Sequence, residues 1–339
     1  MTTSTTERSA QTDARMKAVV ATKYGSPDVL RVTEVAKPTP KDDEILIRIN
    51  ATTVSPSDSA FRQGKPFLVR FFSGLSKPDS ILGDVLAGEV EAVGSDVTRF
   101  AEGDRVFGTA APDSGAHAEY ICLPEDGALA ALPSNMSDGE AAAVCDGALT
   151  AMGFLRDTAD IHRGQSILIN GASGSIGTFA IQLAKHFGAE VTGVCSTRNN
   201  ELVKSLGADT VIDYTQTDFT TMGEKYDIIF DAVGKSSYSR CKESLTRDGM
   251  YLTTVPSSAI LFRMGWTKLF GSKRAVFTAT GLKSPDEKAA HLRFLRKLIE
   301  AGELHSVIDR QYSLDDIADA HRYVDTGHKR GNVVISVGE

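Results

Sequence analysis

Three glycines at the end of an apolar strand carry the clearest chemistry in this sequence. Ile167–Asn170 is followed by Gly171, Gly174 and Gly177, and a helical pattern with one apolar stripe begins directly after them. Glycines allow a tight turn and a close approach of the backbone to a pyrophosphate. The N-terminus of the following helix adds free N–H groups and a positive partial charge. The run therefore predicts a dinucleotide-binding turn between a strand and a helix.

The end of the next predicted strand, Glu190–Cys195, bears on which dinucleotide is bound. NAD-selective sites place an acidic residue near this point, where it accepts the ribose hydroxyls. No carboxylate lies between residues 191 and 200, which instead contain Ser196, Thr197 and Arg198. Hydroxyl groups and a guanidinium suit a 2′-phosphate. We therefore expect NADPH rather than NADH.

The elements that must position these residues lie in two parts of the chain, which differ in their pattern of hydrophobicity. The first 120 or so residues contain alternating, strand-like segments punctuated by glycine and proline, which predicts an irregular, mostly β domain. From about residue 143, apolar strands alternate with helical segments, as in a parallel, doubly wound sheet. The expected fold class is therefore α/β. Residues 1–15 have almost nothing to bury and are expected to form a disordered tail.

Composition excludes several classes of protein. The chain has 339 residues, of which 41% are hydrophobic and 24% charged, and its net charge of −7 disfavours a nucleic-acid partner. No apolar run is long enough to cross a bilayer. The cysteines are far apart in sequence, which fits a reducing cytoplasm and argues against a disulfide framework or a structural zinc lobe: Cys122, Cys145, Cys195 and Cys241.

From Met16 to Val337 the chain resembles the medium-chain dehydrogenase/reductases, on their zinc-independent, zeta-crystallin-like quinone oxidoreductase branch. Five fragments carry the resemblance by their order and spacing: Tyr24–Leu30, Gly88–Gly94, Gly103–Val106, Leu206–Asp209 and Val211–Tyr214. The resemblance implies a GroES-like domain over residues 16–142, completed by 281–339. It also implies a Rossmann NADP-binding domain over residues 143–280.

The resemblance also implies a set of cofactor contacts. Toward the nicotinamide it implies Thr150, Thr254, Val255 and Thr278. Around the pyrophosphate it implies Gly171, Ser173, Gly174, Ser175, Ile176 and Gly177. Ser196, Thr197 and Arg198 would bind the 2′-phosphate, and Tyr214 and Val233 would flank the adenosine. Where relatives often carry a phosphate-binding lysine this chain has Asn332, and we expect Lys329 or Arg330 to compensate.

Zinc-dependent members of the superfamily hold a catalytic metal at three positions. In this chain the corresponding residues are Ser55, Asp84 and Asp146. They offer no thiolate and no imidazole, which makes a poor zinc set, so we expect no metal. The alternative left open is that the two carboxylates hold a hard cation.

Without a Lewis acid, alcohol oxidation is disfavoured, and hydride addition to an already polarised acceptor remains. The expected activity is NADPH-dependent reduction of quinones or α,β-unsaturated carbonyl compounds. The candidate groups at the nicotinamide are Ser55, Asp58, Asp84, Tyr120 and Asp146. Ser55 could donate to a carbonyl oxygen. Tyr120 is either a weak proton donor or a half-buried strand residue, and the two aspartates at metal positions are either neutral donors or acceptors of backbone N–H groups.

Other interpretations stay open at this stage. The chain could bind NADPH without turnover, or could be an alcohol dehydrogenase with unusual metal ligands. Two apolar segments, Phe67–Phe72 and Ile260–Phe270, could cover a hydrophobic acceptor or pack between domains or subunits. The second, which has basic flanks, could also touch a membrane surface. The strand-like Arg274–Ala279 lies where relatives pair sheets across a dimer, so we expect a homodimer.

Overall fold

A computed structural model describes residues 14–65, 67–78 and 81–338 of the chain. The first part of the chain is mostly β-structure. Its strands are β1 (Arg15–Ala21), β2 (Leu30–Ala36), β3 (Glu44–Val54), β4 (Val85–Val93), β5 (Arg105–Thr109), β6 (Tyr120–Pro124) and β7 (Ala128–Ala131). Strands β1 and β2 form a separate antiparallel pair, which begins at residue 15, inside the predicted tail. The rest of that tail prediction, residues 1–13, lies outside the described residues.

The two ends of the chain share one sheet. Strands β14 (Ile308–Ser313) and β15 (Asn332–Ser336) join it, and the order is β14-β15-β3-β4-β5-β7, with β6 also paired to β3. The inward side chains of these strands form one apolar core that includes Ile47, Leu86 and Ile335. The alternating segments of the sequence, which predicted strands, form strands of this sheet and of the β1–β2 pair. Helices α1 (Pro56–Gln63), α2 (Arg70–Ser73) and α10 (Ile317–Asp325) accompany it.

The middle of the chain forms a second sheet of six parallel strands. They are β8 (Ser166–Asn170), β9 (Glu190–Cys195), β10 (Thr210–Asp213), β11 (Tyr226–Asp231), β12 (Leu245–Thr253) and β13 (Arg274–Phe277). Their order is β10-β9-β8-β11-β12-β13, the doubly wound arrangement, so the predicted α/β class is confirmed. The chain reverses direction across the sheet between β8 and β11. Ligands bind at such a switch point, beyond the carboxyl ends of the strands.

Helices cover this second sheet. They are α5 (Ser175–His186), α6 (Asn200–Ser205), α7 (Tyr238–Cys241), α8 (Ser258–Phe270) and α9 (Pro285–Glu300). Residues 167–169 of β8 are fully buried, and α5 buries its apolar stripe in the same core. Because both faces of the sheet are covered, its strands read as continuous apolar runs rather than alternating ones. Among the described residues, no helix is both long and apolar enough to cross a membrane.

One long helical stretch connects the two sheets. It comprises α3 (Asp138–Ala143), a π-helical turn over Val144–Ala148, α4 (Leu149–Met152) and a second π-helical turn over Gly153–Thr158. A capping box between Ser137 and Glu140 starts it. The predicted domain boundary at 142/143 falls inside this stretch. π-Helical turns are frequent at functional sites, and the first of these carries Asp146.

Candidate active site

The turn between β8 and α5 can be built only with glycine at two positions. Gly171 has a φ of +87°, and a Cβ atom there would lie 2.4 Å from a methyl group of Val233. A Cβ on Gly177 would lie 2.2 Å from the carbonyl oxygen of Gly171. Real Cβ atoms do not approach that closely, so the chain can turn here only without side chains. The turn ends at Ser175, where α5 begins.

The C-terminal segment of the chain closes over this turn. The Gly331 N–H donates to the Ser173 carbonyl at 2.8 Å, and Gly174 and Gly331 form a parallel bridge. The Oγ of Ser175 lies 2.6 Å from Oδ1 of Asn332. Residues from both domains therefore meet at the predicted pyrophosphate site.

Asp146 completes this contact from the π-helical turn. The Ser175 Oγ lies 3.0 Å from Oδ2 of Asp146 as well as against Asn332. A serine hydroxyl has one proton, so it can donate to only one of these two oxygens. Burial raises the pKa of Asp146, against the opposing effects of Lys329 and of the Ser175 hydrogen bond. A protonated Asp146 would donate to Ser175 and leave the serine proton for Asn332, which satisfies all three groups.

The end of β9 is tied to the glycine turn by a residue that sequence reasoning missed. The buried Asn199 lies with Nδ2 2.9 Å from the Ser173 Oγ and 3.3 Å from the Ser196 Oγ. The Arg198 guanidinium donates to the His328 carbonyl at 2.8 Å, so it also faces the C-terminal segment. Asn199 directly follows the three predicted phosphate ligands, but no spacing rule marks it.

Asp213 is the second residue that the sequence argument missed. It ends β10, the strand beside β9, and its carboxylate accepts from the Thr197 hydroxyl and from the backbone and side chain of Thr215. The hydrogen bond from Thr197, followed by that from Thr215, lowers its pKa. The carboxylate absent from the end of β9 is therefore supplied by the neighbouring strand. The negative charge of Asp213 opposes the effect of the positive charge of Arg198 at the ribose end of the predicted cofactor site.

The adenosine-side and nicotinamide-side candidates lie around the end of β11. Val233 is exposed and contacts Gly171, while Val255 packs against Gly234. The Thr254 hydroxyl donates to the Ala232 carbonyl at 3.2 Å. These contacts bring the loops after β8, β11 and β12 together at one sheet edge.

Asp231 holds the loop after β11 in place and was not predicted. Its carboxylate is fully buried and accepts from Asn170, from the Tyr251 hydroxyl and from the N–H of Ser236. Such a fully hydrogen-bonded carboxylate fixes the backbone of residues 232–236 at the switch point.

The remaining cofactor candidates are less closely connected. Tyr214 is exposed at the end of β10, with its N–H donating to the Cys195 carbonyl. Thr150 donates its hydroxyl to the Asp146 carbonyl at 3.2 Å. Thr278 lies beside Thr158, with the two hydroxyl oxygens 3.3 Å apart. Ile176 is partly buried against the core.

A group of buried carboxyl groups and one lysine shares this part of the structure. Burial raises the pKa of Asp58 and of Asp84 to about 6, and the mutual repulsion of the two carboxylates adds to the effect on Asp84. Asp146 repels both of them. Burial lowers the pKa of Lys329, against the attraction of Asp146, Asp309 and Asp58. Lys329 donates to the Gly331 carbonyl at 2.8 Å, and the Gly331 N–H in turn donates to Ser173 of the glycine turn.

Ser55 is engaged with Asp58 at the start of α1. Its hydroxyl donates to Oδ2 of Asp58 at 2.7 Å, and its backbone N–H donates to the same oxygen at 2.8 Å. This is a capping box with aspartate in the third position, followed by Pro56 at the first helical position. The serine proton is thus directed at Asp58 while that carboxyl is ionised.

Tyr120 is not brought into this group. It packs beside Met16, Ala18 and Ala118, and the Lys37 ammonium lies 3.6 Å from the centre of its ring. These contacts match the half-buried strand interpretation of this tyrosine.

Two known protein families match separate parts of the chain, one in the first domain and one in the later part of the chain. Residues 41–134 match the family described as the alcohol dehydrogenase GroES-like domain, and residues 206–335 match the family described as zinc-binding dehydrogenase. A chloroplastic quinone-oxidoreductase homolog of Spinacia oleracea is 34% identical over 94% of this chain and 98% of its own length. The chain belongs to the quinone oxidoreductase branch of the medium-chain dehydrogenase/reductases.

Two further relatives of this branch bear on the site. The chloroplastic NADPH-dependent alkenal/one oxidoreductase of Arabidopsis thaliana is 33% identical over 94% of this chain and 79% of its own length. The structure of Escherichia coli quinone oxidoreductase complexed with NADPH has a TM-score of 0.81 and 26% identity, covering 95% of this chain and 99% of that one. The predicted family, the GroES-like and Rossmann fold and an oxidoreductase activity of this type are confirmed. The chain binds a nicotinamide cofactor.

One family description names zinc, and the residues of this member do not fit that ion. Ser55 is committed to capping α1, and Asp84 accepts from the Ser114 hydroxyl at 2.9 Å. Within residues 14–65, 67–78 and 81–338, no group of three or more His, Cys, Asp or Glu side chains is placed to hold a metal. Zinc prefers thiolate and imidazole ligands in tetrahedral sites, and this position has neither. These residues therefore offer zinc no suitable set of ligands.

Proposed function

We propose that this chain reduces quinones or α,β-unsaturated carbonyl compounds with NADPH. The observation that carries the proposal is the convergence at the switch point. The glycine turn, the end of β9 and the C-terminal segment meet there, and Ser55, Asp84 and Asp146 occupy the positions of the metal ligands. The names of relatives in this branch, which include quinone and alkenal/one oxidoreductases, support the same choice of acceptor.

The roles of the residues follow from their contacts. NADPH, when bound, supplies a hydride to the acceptor. The N–H groups at the start of α5, including that of Ser175, and the Ser173 hydroxyl would bind the pyrophosphate, with Lys329 adding positive charge. Asp146 and Asn332 orient Ser175 through its hydroxyl. We assign them as positioning residues.

The preference for NADPH rests on charges at the ribose end. Arg198 follows the end of β9 and donates to the carbonyl of His328, which lies two residues before Arg330 in the C-terminal segment. Asp213 is already paired with the Thr197 and Thr215 hydroxyls, which reduces its free hydrogen-bonding capacity. A guanidinium forms charge-assisted hydrogen bonds to a phosphate more readily than to ribose hydroxyls. We therefore assign the 2′-phosphate to Arg198.

Hydride addition leaves negative charge on the oxygen of the acceptor, which must then take a proton. Ser55 can donate to that oxygen only when its own proton is released from Asp58. A protonated Asp58 would donate to the Ser55 Oγ along the existing 2.7 Å contact, and the serine proton would then be free for the acceptor. A pKa of about 6 makes the protonated form accessible near neutral pH. We assign the proton relay to these two residues.

A screen of acceptors with NADPH and NADH side by side tests the proposal. Purified protein should oxidise NADPH in the presence of at least one quinone or enone, and faster than it oxidises NADH. Failure to oxidise NADPH with every acceptor, while NADPH still binds, would establish the non-catalytic alternative. Metal analysis of the same sample addresses the other alternative, because one zinc per chain would contradict the metal-free assignment.

The location and assembly of the chain are part of the same proposal. All four cysteines are free, and three of them are buried. A reducing cytoplasm suits such thiols, so we propose a cytoplasmic enzyme. A homodimer stays a prediction, which the mass of the purified protein in solution tests.

A further inference from the structure

The helix α8 turns its more apolar side away from the protein. It contacts the rest of the chain through Ile260, Met264 and Thr267, one stripe of the helix. The opposite side carries large apolar residues that are 53% to 74% exposed: Leu261, Phe262, Trp266, Leu269 and Phe270. The three aromatic rings pack in sequence along it, with centroids 6.4 Å and 5.0 Å apart. We call these five residues the α8 face. A contiguous exposed apolar surface of this kind marks a binding surface.

The inner stripe of α8 seals the free edge of the second sheet. The Ala275 N–H donates to the Thr267 hydroxyl at 3.2 Å, and the Phe277 N–H donates to the Met264 sulfur at 3.3 Å. These N–H groups of β13 would otherwise be available for another strand. Sheet extension through β13, the route on which the predicted homodimer was based, is therefore occupied by the helix. What this edge of the molecule presents to a partner is the α8 face.

The charges within α8 and the loop that follows it are of one sign. Residues 258–274 contain Arg263, Lys268, Lys273 and Arg274 and no acidic residue, although the whole chain has a net charge of −7. At about 100° per residue, Arg263 and Lys268 fall on opposite borders of the apolar side. Cations on both borders of an apolar, aromatic stripe are the pattern of a helix that lies in a membrane interface.

We propose that α8 docks this protein on a lipid surface with anionic headgroups. The α8 face would enter the boundary between headgroups and acyl chains, and the bordering cations would pair with lipid phosphates. A second copy of the chain fits this surface less well. A two-fold contact would bring each patch against itself, so that Arg263 and Lys268 would face cations of the second copy. Docking would bring the enzyme to the phase in which hydrophobic acceptors dissolve, but the binding itself is independent of the proposed reaction.

The experiment uses the tryptophan that the chain itself supplies. Trp266 is the only tryptophan in the sequence, and it lies in the α8 face. Its fluorescence therefore reports on this surface without background. We expect a blue shift of emission when vesicles of phosphatidylcholine and phosphatidylglycerol are added, and quenching by brominated acyl chains. Vesicles of phosphatidylcholine alone should bind less, and added salt should weaken binding to the anionic vesicles.

Variants separate the two contributions. Arg263→Gln and Lys268→Gln should each lower the partition coefficient on anionic vesicles about fivefold, the effect of one interfacial cation. Leu269→Ser combined with Phe270→Ser should abolish the blue shift. Phe71→Ser, which removes an equally exposed phenylalanine from another part of the surface, is the matched control and should bind like the parent protein. Sedimentation with vesicles and thermal unfolding accompany each variant, to show that loss of binding is not loss of folding.

Three results would overturn the proposal. One is no vesicle binding and no shift by the folded parent protein. Another is a shift that needs no lipid and grows with protein concentration, which would assign the surface to a second copy. The third is a shift produced by a soluble quinone alone, which would assign the α8 face to acceptor binding.

Discussion

The charges of Arg198 and Asp213 oppose each other at the ribose end of the site. Arg198→Ala should weaken NADPH binding about tenfold or more, because a charge-assisted hydrogen bond to a phosphate contributes roughly 1.5–3 kcal/mol. NADH binding should change less than twofold, which fluorescence titration of both cofactors measures. Asp213→Asn is the counterpart, and it should strengthen NADPH binding by removing a negative charge. An equal loss for both cofactors in the Arg198 variant would contradict the assigned role.

The proton relay predicts that the rate of acceptor reduction depends on pH through the protonation of Asp58. The relay needs the protonated form, and the pKa of Asp58 is raised to about 6. The rate of acceptor reduction should therefore fall as pH rises above 6, by up to tenfold per pH unit where proton transfer limits the rate. Asp58→Asn should be slower and lose this dependence between pH 6 and 8. Cofactor binding should be unchanged in the variant, since Asp58 does not contact the glycine turn. A pH profile that Asp58→Asn leaves unaltered would assign the proton to another group.

The strand–turn–helix element offers a matched pair of glycines. Gly177→Ala places a methyl group 2.2 Å from the Gly171 carbonyl oxygen, and we expect a loss of roughly 1–3 kcal/mol in the free energy of unfolding. Gly174 has φ −82° and ψ 176°, and its Cβ would be 3.5 Å from its nearest neighbour, so Gly174→Ala should keep the stability of the parent protein. Urea unfolding of both variants provides the measurement. Similar losses in the two would show that the clash at Gly177 relaxes.

Elements differed in how far the sequence predicted them. The apolar run of β8 and the apolar stripe of α5 were sufficient to predict these two elements. Both faces of the parallel sheet are buried, so its strands are apolar throughout. The π-helical turn that carries Asp146 was not predictable. The turn packs against α5, β4 and β5, and no local propensity marks its extra residue. The position of β13 was predicted, whereas the sealing of its edge by Thr267 and Met264 depends on the docked helix.

At the scale of the whole molecule, distant parts of the chain bury a basic cluster in the first domain. His117 and His321 are fully buried with their rings 6.0 Å apart, and Arg62 lies in the same interior. The Arg62 guanidinium pairs with Asp325 at 2.6 Å. Both ring nitrogens of His321 lack a hydrogen-bond partner among the described residues. Burial, with repulsion from His117 and Arg62, lowers the pKa of His321 from 6.5 to about 2.

This shift predicts how stability depends on pH. Below pH 6.5 the unfolded chain binds a proton at His321 that the folded chain refuses. The contribution of neutral His321 to the free energy of unfolding is therefore fully present above pH 6.5. It is lost progressively as pH falls toward 2. Asp58 and Asp84, whose pKa values are raised, act in the opposite sense below pH 6. The difference in the free energy of unfolding between the parent protein and His321→Leu isolates the contribution of this histidine. This difference should change by about 1.4 kcal/mol per pH unit between pH 6 and 4. Parallel curves for the parent protein and the His321 variant would contradict the prediction.

What the sequence by itself determined was local and periodic: the glycine turn, the parallel strands, the absence of thiolate and imidazole at Ser55, Asp84 and Asp146, and the resemblance that named the family. Only the tertiary structure brought Asn332 and Asp146 to Ser175, Asp213 to Thr197 and the edge of β13 to α8. The physical reason is that backbone turns and burial patterns depend on neighbours along the chain. A hydrogen bond between residues that lie up to 157 positions apart depends instead on how the two domains pack.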